Sequence, residues 1–155
     1  MPTSPNHGEF IRISSRDKTL LREVSIIERE AFGMQGLTFE QLVLFSHSGK
    51  IFGLEESEKL TAEAIVFQKF NKNSIFLFSF AVIEGKRRCG RGTHLMRSLC
   101  DYLSSRSFKR LELTVDPSNV PALDFYISHL RFQKKRFIPD HLGEGTHRIL
   151  LEKFL

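Results

Sequence analysis

The feature that most constrains the fold of this chain is a change of pattern after Val82. Three short runs rich in Ile, Val and Phe precede it, at the spacing of hairpins. A basic loop that contains glycines follows it, and leads into a segment with the apolar spacing of a helix and then into another strand. A meander that continues into such a crossover predicts a mixed α/β sheet with helices on both faces. The predicted strands of this stretch cover residues 51–55, 60–69, 74–82 and 111–115.

The remaining elements follow from the same periodicities. Apolar residues between Asp17 and Gly33 recur at helical spacing, and Thr38 with Gln41 has the spacing of a capping box that begins a second helix. The helix after the basic loop is expected to start near Thr93. The other predicted elements are a strand over 10–14, a helix over 122–130 and a closing strand over 146–155. The predicted order is βαα, βββ, αβ, αβ.

Length and composition indicate the class of protein. A chain of 155 residues is expected to form a single domain over 1–155, with a loose tail at 1–8. With 41% hydrophobic and 26% charged residues, collagen, coiled coil and wholesale disorder are excluded. Cys89 and Cys100 suit neither a zinc ribbon nor a disulfide framework, which favours an intracellular, cytoplasmic location. The longest apolar stretch, 75–83, is too short to cross a bilayer, so no membrane partner is expected.

The loop after Val82 is where a ligand is expected, because ligands of such sheets bind at the carboxyl ends of strands near a change of direction. Its glycines allow backbone N–H groups to turn toward an anion, and the N-terminus of the next helix adds partial positive charge. Its arginines and Lys86 add whole charges, so a diphosphate is the expected ligand. The alternative is a tight turn with a solvated basic face. The expected contacts come from Arg87, Arg88, Cys89, Gly90, Arg91, Gly92 and Thr93.

Other chemistries of this loop have less support in the sequence. Neither the dinucleotide fingerprint nor the Walker pattern is present, which disfavours NAD and ATP. Cys89 lies among arginines at a helix N-terminus, where a thiolate is favoured, so a reactive nucleophile is one interpretation. No His or acid is adjacent to it in the sequence, and the alternative is a loop residue without a chemical role. His94 either assists a phosphate or packs at the surface. The histidine spacing suggests no metal site, so no metal is expected.

The loop also resembles a known motif. Ala81-Val82 followed by Arg87-x-x-Gly90-x-Gly92 is similar to the [RQ]-x-x-G-x-[GA] motif of the GNAT superfamily of acyl-CoA-dependent N-acetyltransferases. The string from Gly92 to Met96 is especially similar to the histone and protein acetyltransferase branch. The resemblance implies acetyl-CoA as cosubstrate, with Ala81 and Val82 beside it. It also implies a mostly antiparallel central sheet with splayed strands, flanked by about four helices.

A second motif of the same superfamily follows in order. Asn119-x-x-Ala122-x-x-Phe125-Tyr126 resembles the motif in which the Asn caps a helix beside the pantetheine and the Tyr meets the thioester sulfur. This implies direct attack of an amine on the acetyl thioester in a ternary complex, with Tyr126 as general acid to the departing thiolate. The alternative for Tyr126 is an amphipathic residue at the edge of the core. Backbone N–H groups near Val82 are candidates for the oxyanion donors.

The general base is not evident from the sequence. Phe76 stands where the histone branch has a Glu, and Thr114 stands where N-terminal amine acetyltransferases tend to have a His. Glu112 is a candidate to relay a proton through water, with an exposed strand carboxylate of no catalytic role as the alternative. Ser79, the lone polar residue of its Phe-rich strand, is a second candidate. Without a dedicated base, activity is expected to rise into alkaline pH.

Two alternatives to an enzyme remain. The net charge of +5 and the basic, aromatic run 131–137 are compatible with a nucleic-acid-binding module. A GNAT domain that binds its cofactor without turnover is the other. Compared with a nucleic-acid-binding module, only the enzyme needs the placement of Gly90 and Gly92 and the presence of Tyr126. The sequence therefore favours an N-acetyltransferase that acts on a primary amine of a small molecule or a protein, as a monomer or homodimer, with nucleic acid an unlikely partner.

Overall fold

Seven strands form a single sheet in the computed structural model, which describes residues 6–70 and 73–155. The strands are β1 (Glu9–Ile13), β2 (Lys50–Glu56), β3 (Lys59–Gln68), β4 (Ser74–Val82), β5 (Arg110–Val115), β6 (Gln133–Ile138) and β7 (Arg148–Phe154). They lie in the order β1-β2-β3-β4-β5-β7-β6. Antiparallel pairs join β1 to β2, β2 to β3, β5 to β7 and β6 to β7, whereas β4 and β5 run parallel. The sheet is therefore mixed and mostly antiparallel, as predicted.

The parallel pair is short. Ser74, Ile75 and Phe76 of β4 lie opposite Arg110, Leu111 and Glu112 of β5. β4 has nine residues and β5 has six, so among the described residues the two strands pair over only part of their lengths. Pairing that stops early is what the expected splaying of strands requires.

The described residues contain four α-helices, and the starts of the first two follow local capping rules. They are α1 (Lys18–Phe32), α2 (Phe39–Ser48), α3 (Arg91–Ser105) and α4 (Val120–Leu123), the last continued by a π-helical turn, Asp124–His129. The carboxylate of Asp17 accepts the N–H of Leu20 at 3.1 Å and begins α1. Thr38 and Gln41 exchange both hydrogen bonds of a capping box, at 3.2 and 2.9 Å, and begin α2 as predicted.

Contacts divide the described residues into two compact units. The first runs up to Phe67 and includes Phe78–Tyr102, and the second comprises Gln68–Leu77 and Leu103–Leu155. Most of the tail expected at 1–8 lies outside the described residues, which begin at residue 6. A single domain over the whole chain stays a prediction.

In the described part of the chain, no helix is both long and apolar enough to span a membrane.

The core of the first unit covers both faces of its strands. Ile51 of β2 belongs to the cluster that buries Leu21 and Val24 of α1. The next residue, Phe52, points to the opposite face, where its ring lies 4.9 Å from that of Tyr102 in α3. Each such fully buried apolar side chain stabilises the fold by about 2 kcal/mol. Within this unit, helices therefore cover both faces, as the sequence predicts.

The prediction of six strands was wrong, because β6 was missed. Its residues are exposed except for Ile138, which is half-buried, so no apolar alternation indicates a strand there. β6 lies at the edge of the sheet and, among the described residues, pairs only with β7, so a basic sequence is tolerated. The basic, aromatic run 131–137 is for the most part this strand.

Two helix starts also differ from the prediction. α3 begins at Arg91, two residues before Thr93, and includes Gly92 in its first turn. The last helix begins at Val120 rather than at residue 122, because Asn119 caps it and Pro121 fits its first turn. The change to a π-helical turn at Asp124 has no signal in the sequence.

Candidate active site

The glycine loop joins β4 to the N-terminus of α3 in the first unit. A 3₁₀ turn, Glu84–Lys86, follows β4, and a tight turn over 87–90 leads into the helix. The first intrahelical bond runs from the His94 N–H to the Gly90 carbonyl, at 2.9 Å. The amides of Arg91 and Gly92 precede it and donate to no acceptor in the described residues. These amides at the positive end of a fifteen-residue helix suit an anion.

Gly90 is the residue that this turn needs. Its φ is +83°, a conformation that favours glycine. A Cβ atom there would lie 3.1 Å from Nε2 of His7, which packs against the loop. Any larger residue would therefore strain the backbone and press on the His7 ring.

The charge of Arg91 is used inside the protein. Its Nε and Nη2 donate to the two carboxylate oxygens of Glu56 at 2.7 and 2.8 Å, and the two side chains are 13% and 17% exposed. The hydrogen bonds from Arg91 lower the pKa of Glu56 to about 2. The Arg91 charge, expected to face an anion, is instead paired with Glu56, and a contact of Arg91 with the cofactor stays a prediction. Glu56 lies 35 residues earlier in the chain, and no local pattern links the two.

The other cations of the loop differ in their partners. Nε of Arg87 donates to the Val82 carbonyl at 2.8 Å, and Nη2 lies 3.7 Å from Glu30. Arg88 is exposed and has no ion pair among the described residues, so its charge is available to an anion. Cys89 is exposed, and its thiol donates to the Arg87 carbonyl at 3.3 Å.

The end of β4 leaves one backbone donor directed away from β3. The N–H of Ile83 donates to the Thr61 carbonyl of β3 at 2.9 Å. Because consecutive N–H groups of a strand point to opposite sides, the N–H of Val82 points away from β3. Ala81 is buried in the core and Val82 is half-buried. The Val82 N–H is therefore a backbone donor that β3 does not use, and its role as an oxyanion donor stays a prediction.

The second motif lies in the second unit. The Asn119 side chain accepts the Ala122 N–H at 3.2 Å, which confirms its predicted role as a helix cap. Tyr126 lies on the π-helical turn, half-buried, with its ring edge-on to Phe125 at 5.3 Å and to Phe132 at 5.5 Å. These contacts fix the ring, and its role as an acid stays a prediction.

Arg148, which the sequence did not single out, is bound to Thr114 at the end of β5. Its Nε donates to Oγ1 of Thr114 at 3.1 Å, and its Nη2 donates to the Thr114 carbonyl at 2.7 Å. Burial lowers the pKa of Arg148, and the electrostatic attraction of Asp116 and Tyr126 opposes that effect. Only the pairing of β5 with β7 brings Arg148 to Thr114, so no local signal was available.

Glu112 is buried rather than exposed, contrary to the alternative weighed in the sequence analysis. Its side chain is 1% exposed and pairs with Lys69, with Lys135 at 3.2 Å and with Arg110 at 3.6 Å. Burial alone would raise its pKa, but the hydrogen bonds from Lys69 and Lys135 prevail and lower the pKa. These contacts give Glu112 a structural role in the second unit. The role of Glu112 as a base stays a prediction, and its contacts with Lys69, Lys135 and Arg110 do not favour it.

Ser79 lies in a buried carboxyl cluster of the first unit. Its hydroxyl hydrogen-bonds to Glu28 and lies 3.1 Å from Oε1 of Glu63. Glu28 also accepts the Leu37 N–H at 3.0 Å, which anchors the start of the segment before α2. Burial, together with the charge of Glu28, raises the pKa of Glu63 well above its usual value. Ser79 therefore binds carboxyl groups that the sequence did not connect with it.

We expect Glu63→Gln to change the pH dependence of stability. A raised pKa in the folded state stabilises the fold at pH values below the unfolded pKa of 4.5, and this stability is lost as pH rises toward the folded pKa. Between the unfolded pKa and the raised folded pKa of Glu63, the free energy of unfolding of the parent should fall with rising pH. Relative to Glu63→Gln, the fall should be about 1.4 kcal/mol per pH unit. Urea denaturation from pH 5 to 9 measures it, with exposed Glu9→Gln as control. Parallel curves for parent and Glu63→Gln would contradict the expectation.

Among residues 6–70 and 73–155, no group of three or more His, Cys, Asp or Glu side chains could hold a metal ion.

The fold, the glycine loop and the helix N-terminus define an acyl-CoA-dependent transferase. The chain belongs to the acetyltransferase (GNAT) family, whose sequence profile matches residues 17–130. This confirms the resemblance and the predicted class of enzyme, an acetyl-CoA-dependent N-acetyltransferase. No curated protein matches the chain significantly.

Solved structures share the fold over nearly the whole chain. The ribosomal-protein-S18-alanine N-acetyltransferase from Escherichia coli matches with a TM-score of 0.78 and 24% identity, over 94% of each chain. Ard1 from Thermoplasma volcanium matches with 0.80 and 16%, over 96% of this chain and 98% of that one. An aminoglycoside 6'-N-acetyltransferase complexed with coenzyme A matches with 0.78 and 13%, over 94% and 96%. These matches confirm the predicted fold class.

Proposed function

We propose that this protein transfers the acetyl group of acetyl-CoA to a primary amine of a small molecule or a protein, by direct attack in a ternary complex. The observation that carries the proposal is the glycine turn at the N-terminus of α3. There the amides of Arg91 and Gly92 have no acceptor in the described residues, and the turn depends on the positive φ of Gly90. A diphosphate is the anion that such a turn suits best.

Three groups of residues would hold acetyl-CoA. Backbone amides over residues 88–93 would bind the diphosphate, with the exposed side chain of Arg88 as the supporting charge. Ala81 and Val82, at the end of β4, would contact the pantetheine and the acetyl group. Asn119 would cap its helix beside the pantetheine, as in the motif that it resembles.

The chemistry needs an oxyanion donor and an acid. The Val82 N–H is available on the side of β4 away from β3, and donors aimed at the oxyanion stabilise the tetrahedral intermediate. Tyr126 would give its proton to the departing thiolate. Holding both reactants in one complex supplies much of the rate.

The named relatives favour an amine acceptor. The matching structures include an enzyme for the alanine of a ribosomal protein and an enzyme for aminoglycosides, which supports protein and small-molecule amines alike. The alternative of a nucleic-acid-binding module loses support, because Lys135 of β6 is paired with Glu112 and Glu152. When a cation of the run 131–137 forms ion pairs within the protein, fewer of its charges are available to bind the phosphates of a nucleic acid.

An assay of coenzyme A release tests the function. We expect release from acetyl-CoA with at least one acceptor in a panel of amines, N-terminal peptides and aminoglycosides. The rate should rise with pH, because only on the order of one lysine-type amine in a thousand is neutral at pH 7. Tyr126→Phe is the matched control. Coenzyme A binding without release for any acceptor would indicate a domain without turnover, and nucleic-acid binding without coenzyme A binding would indicate the other alternative.

A further inference from the structure

A carboxylate of α1 holds the chain where it leaves β4, within the first unit. Oε1 of Glu30 accepts the backbone N–H of Glu84 at 2.5 Å and lies 3.7 Å from Nη2 of Arg87. Nε of Arg87 donates in turn to the Val82 carbonyl at 2.8 Å. One side chain of α1 therefore contacts both ends of the short segment that joins β4 to the glycine turn.

The 3₁₀ turn Glu84–Lys86 takes its cap from this contact. The turn is closed by the bond from the Lys86 N–H to the Ile83 carbonyl, at 3.0 Å, and Ile83 offers no side-chain cap. Glu30, which lies 54 residues earlier in the chain, supplies the acceptor for the Glu84 N–H. A backbone N–H that donates to a carboxylate forms a charge-assisted hydrogen bond, which is stronger than a neutral one.

The placement of Glu30 is not explained by its own helix. Glu30 lies in the last turn of α1, where the helix dipole disfavours a carboxylate. The side chains of Glu30 and Arg87 are 38% and 45% exposed, and an ion pair at that exposure contributes little to stability. The contact that matters is therefore the hydrogen bond with the Glu84 N–H, and it acts on the loop rather than on α1.

The glycine turn lies between two anchors of this kind. On the helix side, Glu56 accepts two hydrogen bonds from Arg91, the first residue of α3, at 2.7 and 2.8 Å. On the strand side, Glu30 contacts Glu84 and Arg87. Both carboxylates come from outside the glycine motif. The path of residues 88–90, and with it the direction of their amides, depends on both anchors.

We propose that Glu30 is a positioning residue for the diphosphate of acetyl-CoA, because it holds the strand side of the glycine turn so that the amides over 88–93 face the anion. The proposal rests on the proposed function and adds a residue outside both sequence motifs. It predicts the sign of the effect of substitution. A carboxylate near an anion opposes its binding, so loss of a Glu30 that acted only through charge would strengthen binding of coenzyme A. Loss of a positioning residue weakens it.

Calorimetry with coenzyme A separates reach from charge. We expect Glu30→Ala to lower the affinity about tenfold, as the loss of one hydrogen bond to a charged group. Glu30→Asp keeps the charge but withdraws the carboxylate by one methylene, and should lower the affinity about fivefold. Glu30→Gln loses the charge but keeps an acceptor at the same reach, and should lower it only about twofold.

Glu23→Ala is the matched control. Glu23 lies about two turns earlier on α1 and has no ion pair among the described residues, so its loss should leave the affinity unchanged. Kinetics give a second readout. Glu30→Ala should raise KM for acetyl-CoA about tenfold with kcat within about twofold of the parent, because a contact with the diphosphate is made equally before and in the transition state.

The outcomes distinguish this proposal from the proposed function. Folded Glu30→Ala with an affinity equal to or above that of the parent overturns this proposal alone. A lowered free energy of unfolding with parent affinity in Glu30→Asp also overturns it, because Glu30 then has only a structural role. If Glu30→Ala does not fold, a loss in Glu30→Asp that exceeds the loss in Glu30→Gln supports the proposal, and the reverse order overturns it. A parent that does not bind coenzyme A overturns the proposed function and this proposal together.

Discussion

Tyr126→Phe is expected to lower kcat about a hundredfold while KM for acetyl-CoA changes by less than about twofold. Phe keeps the ring that packs edge-on against Phe125 and Phe132, so the π-helical turn should remain in place. Only the hydroxyl is lost, and its proton is needed in the transition state rather than in binding. Steady-state release of coenzyme A, measured over a range of both substrates, separates the two parameters.

The other tyrosine provides the matched control. Tyr102 packs on Phe52 in the first unit, at 4.9 Å, and has no proposed role in the reaction. Tyr102→Phe should therefore leave kcat within about twofold of the parent. Equal activity of the parent and Tyr126→Phe would retire Tyr126 as the acid.

Gly90→Val is expected to weaken acetyl-CoA binding about a hundredfold, which is the loss of two charge-assisted hydrogen bonds of about 1.5 kcal/mol each. A β-branched residue does not readily adopt the φ of +83°, and its Cβ would press on Nε2 of His7 at 3.1 Å. The turn must shift, and the amides of Arg91 and Gly92 move with it. Calorimetry with coenzyme A measures the affinity.

Two comparisons make the result specific to the diphosphate. Gly85→Val introduces the same side chain in the preceding 3₁₀ turn, where a Cβ would meet no atom within 4 Å, and should bind coenzyme A as the parent does. A pantetheine fragment without the diphosphate should bind Gly90→Val and the parent alike. Unchanged affinity of Gly90→Val for coenzyme A would show that the diphosphate does not bind at this turn.

Features that depend on a few neighbouring residues could be predicted from the sequence. The capping box of Thr38 and Gln41, the cap of Asn119 and the glycine at residue 90 all act within one turn of backbone. The apolar period of α1 also predicted its buried face. The glycine loop and the Asn119 motif lie within single stretches of chain, so both motifs were recognisable.

The charge of the candidate site was decided by tertiary structure. Glu56 takes up Arg91 from 35 residues away, and Arg148 reaches Thr114 from 34 residues away. Glu112, a candidate base for which an exposed carboxylate was the alternative, is buried and has three cationic neighbours. β6 is strongly basic and exposed, so its sequence does not indicate a strand. It is a strand because it pairs with β7.

The physical reason for this division is the range of the interactions. Backbone conformation and capping depend on groups within about four residues, so the local sequence determined where α1 and α2 begin and where Gly90 turns the chain. Ion pairing and burial depend on which strands and helices meet, and a shift of one residue in register would turn every side chain of a strand to the other face. Arg91, Glu112 and Arg148 therefore meet their partners only when the helices and strands have packed together.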